Sequence, residues 1–342
     1  MNLKELSKIL GLSQTTVSRA LNGYPEVNEA TRKRVAEAAL QHNYSPNKRA
    51  MGLATGRSMT IGHVIPTSTQ HEMVNPVFGD FVAGACETYG EFGYDMLFSQ
   101  VPDGDQEAAY AELLRKGTID GLVIQGPKIH DDRIGILKKI GLPFVVHGRA
   151  SGVTEPYSWV DVNNKHSFER ATEFLLDLGH KRIALINGLE DMDFASRRRE
   201  GYEAGLASRG IAPDPALMRS AEMTEVYGHH ETRDMLASEN PPSAILSSSL
   251  ITTLGVRRAI EEAGLVMGRD VSVITHDDDL SYLRNGDNVP IFTAARSSVR
   301  EAGRLIARML INQIRNPGLA PENQLLETEL VVGRSTGPAL RG

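Results

Sequence analysis

Apolar positions in the first forty residues recur at helical spacing. Leu3, Leu6, Ile9 and Leu10 make one stripe, which stops at Gly11, a residue suited to ending a helix. Ser13 is placed to cap a second helix over 14–21, with Val17, Ala20 and Leu21 as its inward stripe. Gln14, Thr15, Ser18, Arg19 and, just past the helix end, Asn22 are left facing outward. Two short helices about the Gly11-Leu12-Ser13 turn predict a helix-turn-helix. Its outward side chains form hydrogen bonds and include no carboxylate, which suits base edges and phosphates in a major groove. A third helix is expected after Asn28, a good cap, with Val35, Ala36, Ala39 and Leu40 on one face.

From Thr60 the pattern changes. Short β-branched runs alternate with helical stretches: Ile61 to Pro66, then a helix bearing Phe81, Val82, Ala85 and Cys86, then Tyr94 to Phe98, Gly121 to Gln125, and Phe144 to His147. A second set begins with Arg182 to Ile186 and continues with Ala244 to Leu246 and Val271 to Ile274. Such alternation predicts parallel sheets with helices on both faces, and two sets predict two doubly wound subdomains. Ligands bind beyond the carboxyl ends of parallel strands, so two facing sheets would form a cleft able to hinge.

Charge sharpens this division. Residues 1–58 carry nine Lys and Arg against four Glu, a net +5, so the remainder carries −11 of the chain's −6 total. A basic head on an acidic body points to a polyanion partner for the head alone. No run approaches the ~18 apolar residues of a membrane span. The N-terminal residues lack the apolar core of a secretory signal. Cys86 is the single cysteine, which excludes an internal disulfide and a cysteine zinc site. A cytoplasmic protein without membrane contact is expected, and Cys86 is expected in a core. Dinucleotide, P-loop and nucleophile-elbow motifs are missing from the sequence. His229-His230 are adjacent rather than four apart, and the Asp277-Asp278-Asp279 run lacks the alternation of a calcium loop. No catalytic residue, metal or cofactor is expected.

Three segments together resemble the lactose-repressor/galactose-repressor (LacI/GalR) family of bacterial transcription regulators: Thr16-Val17-Ser18-Arg19-Ala20-Leu21-Asn22, Val27-Asn28 with Thr31-Arg32, and Asn43-Tyr44-Ser45-Pro46-Asn47. The likeness continues through Asn75-Pro76-Val77-Phe78, Leu178-Gly179-His180-Lys181-Arg182, Arg198-Arg199-Glu200-Gly201-Tyr202 and the terminal Leu330 to Thr336. The resemblance implies an all-α helix-turn-helix DNA-binding domain over 1–46, a hinge helix or linker over 47–59, and a periplasmic-binding-protein-like α/β body over 60–342. Within the body it implies an N-terminal subdomain of about 61–160 plus 292–322 and a C-terminal one of about 161–291 plus 323–340. It adds Thr16, Asn28, Tyr44, Asn47 and Ala50 to the DNA contacts, and makes Leu53 a wedge between base pairs from the minor groove. The hinge, too short to persist alone and weakened by Gly52, would order on DNA.

For the cleft, the resemblance implies that Arg198 reaches in from a helix start, Asp277 takes paired hydroxyls, and Phe78 floors the pocket beside Asn75. Trp159, the single tryptophan, lies in the aromatic run Tyr157-Ser158-Trp159 and could stack on a sugar or simply pack. Ser249-Leu250 stands where many members have Asn-Asp. His147-Gly148-Arg149 together with Trp159 to Asn164 looks like the α-glucoside-responsive branch. The expected protein is a homodimeric repressor of a pseudo-palindromic operator, controlled by a disaccharide or α-glucoside such as sucrose or maltose. Its rivals are a family member with a non-sugar ligand or a corepressor, a sugar-transport protein, and a sugar-processing enzyme.

Overall fold

The structure, a computed structural model, describes residues 1–21, 24–44, 57–66, 74–102 and 105–340. Asn22, Asn47, Ala50, Leu53 and most of the expected hinge lie outside the described residues. The chain forms two compact units, one built on Met1–Met59 with Gly117–Ile119 counted to it, the other on the remainder.

The first unit contains α1 (Leu3–Leu10), α2 (Gln14–Leu21) and α3 (Glu29–Gln41). Asn2 and Glu5 close a capping box on α1, and Gly11 ends it at φ 64°, a left-handed conformation open to glycine. Ser13 Oγ accepts from Thr16 N at 3.0 Å, and Asn28 Oδ1 accepts from Thr31 N at 2.8 Å, so both expected caps form. Leu6, Leu10, Val17, Ala20, Val27, Val35 and Ala39 make the core, with Leu3, Leu21, Ala38 and Tyr44 packed on it. Three expected core positions are corrected: Ile9 is 53% and Leu40 82% exposed, and Ala36 is exposed as well. Three short helices enclose so little volume that only the narrow strip of each facing the other two is covered.

The second unit is two sheets of six strands. In chain order the elements are β1 (Thr60–Pro66), α4 (Pro76–Phe92), β2 (Asp95–Val101), α5 (Gln106–Arg115), β3 (Gly121–Gln125), α6 (Asp132–Ile140), β4 (Phe144–His147) and β5 (Trp159–Val162). Then come α7 (Asn164–Asp177), β6 (Ile183–Asn187), α8 (Asp193–Ala207), β7 (Met218–Ser220), α9 (Glu225–Leu236), β8 (Ala244–Ser247), α10 (Leu250–Glu262) and β9 (Ser272–Asp277). The last are β10 (Thr293–Arg296), α11 (Val299–Arg315), β11 (Asn323–Leu326) and β12 (Glu329–Val331). The first sheet has the order β11-β5-β4-β3-β1-β2 and the second β12-β10-β9-β8-β6-β7, the same winding twice. Every pairing is parallel except β10 with β12. Alternation along β6 shows why its run is apolar throughout: Ile183 and Leu185 face the core under α7 and α8, while Ala184 and Ile186 face the one under α9 and α10. No helix among the described residues is long and apolar enough to cross a membrane.

The chain crosses between sheets three times, but not at the boundaries read from the sequence. β5 runs to Val162, β10 belongs to the second sheet although it lies past residue 292, and β11 belongs to the first although it lies past 323. These crossing strands join by backbone pairing, Thr293 to Ile274 and Asn323 to Trp159. Neither Thr-Ala-Ala-Arg nor Asn-Gln-Leu-Leu carries a strand pattern of its own.

Helix α4 starts on the Asn75 cap and buries Phe78, Phe81, Ala85 and Tyr89. Cys86 falls on the opposite side and is exposed, which corrects its expected place in the core. The helix also packs closely on α11: a Cβ at Gly84 would stand 2.0 Å from the Arg300 carbonyl oxygen, and one at Gly303 2.2 Å from that of Phe81. Gly79, on the same α4, has nothing within 4 Å. Gly303→Ala should therefore lower the unfolding free energy by about 1–3 kcal/mol. Gly79→Ala should raise it by up to about 1 kcal/mol through helix propensity. Urea titration of the two variants checks both signs.

Candidate functional site

On the first unit the exposed face of α2 presents Gln14, Thr15 and Arg19, with Ser18 half-buried. No acid occurs in its first turn, and Arg19 is in its last. Thr16 Oγ1 is 2.8 Å from Ser13 Oγ, within the cap, and Asn28 is engaged as the cap of α3. Tyr44 lies against the core of this unit, and burial raises its phenol above the ordinary value. The exposed α2 face is thus Gln14, Thr15 and Arg19, while Thr16, Asn28 and Tyr44 hold the helices in place.

In the second unit a cavity of about 1120 Å³, open mouth included, lies between the two sheets. Its wall is built at the carboxyl ends of parallel strands, as the winding requires. Gln125 ends β3 and His147 ends β4, and the two are register partners. His147 Nδ1 donates to Gln125 Oε1 at 2.7 Å, and its ring stacks on Phe81 with centroids 4.6 Å apart. Of the expected residues, Asn75, Phe78, His147, Arg198 and Ser249 line the cavity. Asn75 and Ser249 also cap α4 and α10.

Arg198, on α8, is buried. Its Nε donates to Asn164 Oδ1 at 2.8 Å and its Nη1 to the Ser248 carbonyl at 2.6 Å. The guanidinium lies 4.9 Å from the Phe194 ring centroid and 5.2 Å from that of Phe168. Burial pushes its pKa down to about 10, against the pull of Asp278 and Asp161.

Three expected residues do not line the cavity. Asp277 turns to Arg296, 3.5 Å away, and accepts from Asp279 N; the neighbours on either side, His276 and Asp278, face the cavity instead. The cause is strand parity, since successive side chains of β9 point to opposite faces. Arg149 Nε donates to Asp161 Oδ2 at 2.7 Å, and its guanidinium sits 5.0 Å over the Trp159 ring. Asp161 lines the cavity where Arg149 and Trp159 do not.

Gln125, Asp161, Asn164, His276 and Asp278 are residues that sequence reasoning missed. Gln125 is the last residue of an expected strand, and the rule that ligands meet strand ends would have found it. His276 Nε2 lies 3.3 Å from Asp278 Oδ1. Burial and then Arg198 lower the His276 pKa, so the ring is neutral. With Nε2–H turned to the carboxylate, Nδ1 is an acceptor. Burial alone would raise Asp278, yet the His276 hydrogen bond and the Arg198 charge hold it below the ordinary carboxylate value. His276 Nδ1 and Gln125 Nε2 are both buried without a hydrogen-bond partner. An unpaired donor at the edge of the first sheet and an unpaired acceptor at the edge of the second, both on residues that line the cavity, match ligand hydroxyls, which both donate and accept.

Comparison with known proteins agrees with this architecture. Residues 2–47 match the family described as bacterial regulatory proteins, lacI family, and residues 172–336 match a periplasmic binding protein-like domain. The HTH-type transcriptional regulator AglR of Rhizobium meliloti is 45% identical over 99% of this chain and 95% of its own length. CelR of Thermobifida fusca is 28% identical over 97% of each chain. Among solved structures, a CelR–cellobiose complex superposes with a TM-score of 0.72 at 27% identity, covering 98% of this chain and 99% of that one. The lac repressor dimer bound to operator and the anti-inducer ONPF superposes at 0.81 and 25% identity, with the same coverage.

Burial pushes His147 down to about 4 and His63, beneath the same aromatic cluster, to about 3. Unfolding frees both rings to take up protons near their ordinary value of 6.5. Stability should be complete above about pH 6.5 and fall as pH drops toward about 4, because the unfolded chain then binds more protons. Denaturant titrations at a series of pH values should show His147→Asn with a shallower decline. An unchanged slope would mean that the ring is already charged in the fold.

Proposed function

The chain belongs to the lacI family of bacterial regulatory proteins, and from that premise we propose that it is a homodimeric repressor whose operator affinity is controlled by a neutral disaccharide, an α-glucoside such as sucrose or maltose, held in the cleft. It is a DNA-binding transcriptional regulator and not an enzyme, as its curated relatives are transcriptional regulators. The observation that carries the sugar reading is a cavity lined by an unpaired donor on Gln125 and an unpaired acceptor on His276 together with the apolar side chains Phe78, Phe194 and Met223. A sugar has both faces, hydroxyl edges and a C–H plane.

Charge favours a neutral ligand. Asp161 is matched by Arg149, and Asp278 faces Arg198. Among the described residues that line the cavity no surplus cation is left to receive an acid. A relative, CelR, is solved with cellobiose, which supports a disaccharide in this fold. The His147-Gly148-Arg149 run directs the choice to α-glucosides.

Dimerisation would set two α2 faces about one helical turn apart on a pseudo-palindromic operator, with Asn22, Asn47, Ala50 and Leu53 joining the contact. Ligand in the cleft would shift the two subdomains and so the paired heads, with a coupling of about 1–3 kcal/mol.

Fluorescence anisotropy on an operator from upstream of the chain's own gene tests this, with sucrose, maltose, trehalose and glucose at one fixed salt concentration. One disaccharide is expected to shift operator affinity by several-fold to about a hundredfold. Binding no tighter than to random DNA would sink the proposal, and a response to purines alone would remove the sugar. Arg198→Ala should keep operator binding and lose the response. The same sugar should change Trp159 emission through Arg149 and Asp161, and Trp159→Phe should abolish that signal.

A further inference from the structure

The cavity is crossed on two sides by contacts between the subdomains, and the two are built differently. On one side Ser281 N and Oγ donate to the Asp80 carboxylate, each at 2.7 Å, and neither residue lines the cavity. On the other side the loop after β6 is stitched to the loops after β3 and β4. Asp193 N donates to the Pro127 carbonyl at 3.0 Å and Ile129 N to that of Asp191 at 3.1 Å, so Met192 and Lys128 form an antiparallel bridge. The Asp193 carboxylate is 1% exposed and fully engaged: it accepts from Ser151 N at 2.7 Å, from Ser151 Oγ, and from Arg197 Nε at 2.5 Å. A surface pair, Lys128 with Asp191 at 3.0 Å, adds little beside it.

Met192 is the side chain that this seam carries into the cavity wall. Its terminal methyl would lie 2.8 Å from a Cβ on Gly126, so it packs across the cleft against that glycine. Gly126 has φ 46° and lines the same wall, with Pro127 and Gly148 beside it. The backbone on both sides of Met192 is hydrogen-bonded to the opposite subdomain, so the side chain is anchored at the cavity wall while the seam holds.

We infer that this seam limits ligand length: Met192 is the stop that ends the site after two sugar units, and Asp193 is the positioning residue that keeps the stop closed. The inference rests on the cleft being the sugar site. A third unit on this side must break the Ser151–Asp193 contacts and the bridge before it can be accommodated. Discrimination then comes from a repulsive element rather than from added contacts to the disaccharide.

Titration by Trp159 fluorescence, confirmed by calorimetry, compares maltose with maltotriose and sucrose with raffinose. The proteins are the full-length chain, Met192→Ala, Ser151→Ala and Asp193→Asn, with thermal melting as the check on folding. The unaltered chain should prefer the disaccharide of at least one pair by about tenfold or more, the size expected from losing one charge-assisted hydrogen bond. Met192→Ala and Ser151→Ala should narrow that ratio by about fivefold or more, mainly by tighter trisaccharide binding, and Asp193→Asn should speed dissociation of both sugars. A residue that served only the fold would weaken both sugars alike and leave the ratio where it was. Trisaccharide bound as tightly as disaccharide by the unaltered chain overturns the inference, as does a ratio that Met192→Ala and Ser151→Ala leave unmoved. If no sugar binds the unaltered chain, the sugar reading of the cleft itself falls, a result distinct from either of these.

Discussion

Parallel pairing is the constraint from which the rest of the body follows. Two neighbouring parallel strands cannot be joined by a hairpin, so the chain must cross back over a face of the sheet, and a helix is the compact way to do it. Each crossing covers a face, and all carboxyl ends gather at one edge. In this protein the same winding is made twice, with the order β2-β1-β3-β4-β5 matched by β7-β6-β8-β9-β10. The two carboxyl edges face each other, and the cavity is the space between them. Gln125, His147, Asp161 and His276 come together because each is at or near such a strand end.

Charge in the cleft follows from burial. Arg198 has nearly no access to water, and an unpaired guanidinium there would be very costly. It is met by Asn164 from the first crossing between sheets, by the Ser248 carbonyl from the loop after β8, and by aromatic faces. One side chain thus ties three separate segments, and Asp278 supplies the opposite charge. The histidines respond in the other direction: His147 and His276 are kept neutral by the same dryness, which turns them into hydrogen-bonding groups rather than charges. The wall that results is polar but electrically balanced.

Subdomain motion in this family of architectures depends on what bridges the cleft. Here the bridges are of two kinds, a carboxylate holding a serine at Asp80–Ser281 and a stitched backbone seam around Met192 and Asp193. Both join elements of the two subdomains through hydrogen bonds. Their hydrogen bonds are exchangeable one for one with water, so they can open without disturbing either core.

The helices of the head, the alternation of strands and helices in two sets along the body, and membership of the family were all legible in the chain itself. Caps such as Ser13 and Asn28, stripes such as Leu6, Leu10 and Val17, and the β-branched runs act locally, through propensity and period, and need no distant partner. What the period leaves open is phase. Asp277 and Asp278 are one residue apart, and which of them meets the cavity depends on how β9 is registered between β8 and β10. The same holds for Cys86, one helical step from Ala85 yet exposed, because the position of α11 determines which side of α4 is covered. The crossings near 297 and 327, the pairing of Arg149 with Asp161 under Trp159, and the Met192 seam join residues far apart in sequence. Local pattern carries no information about such encounters; only the tertiary structure, by settling which backbones lie side by side, decided them.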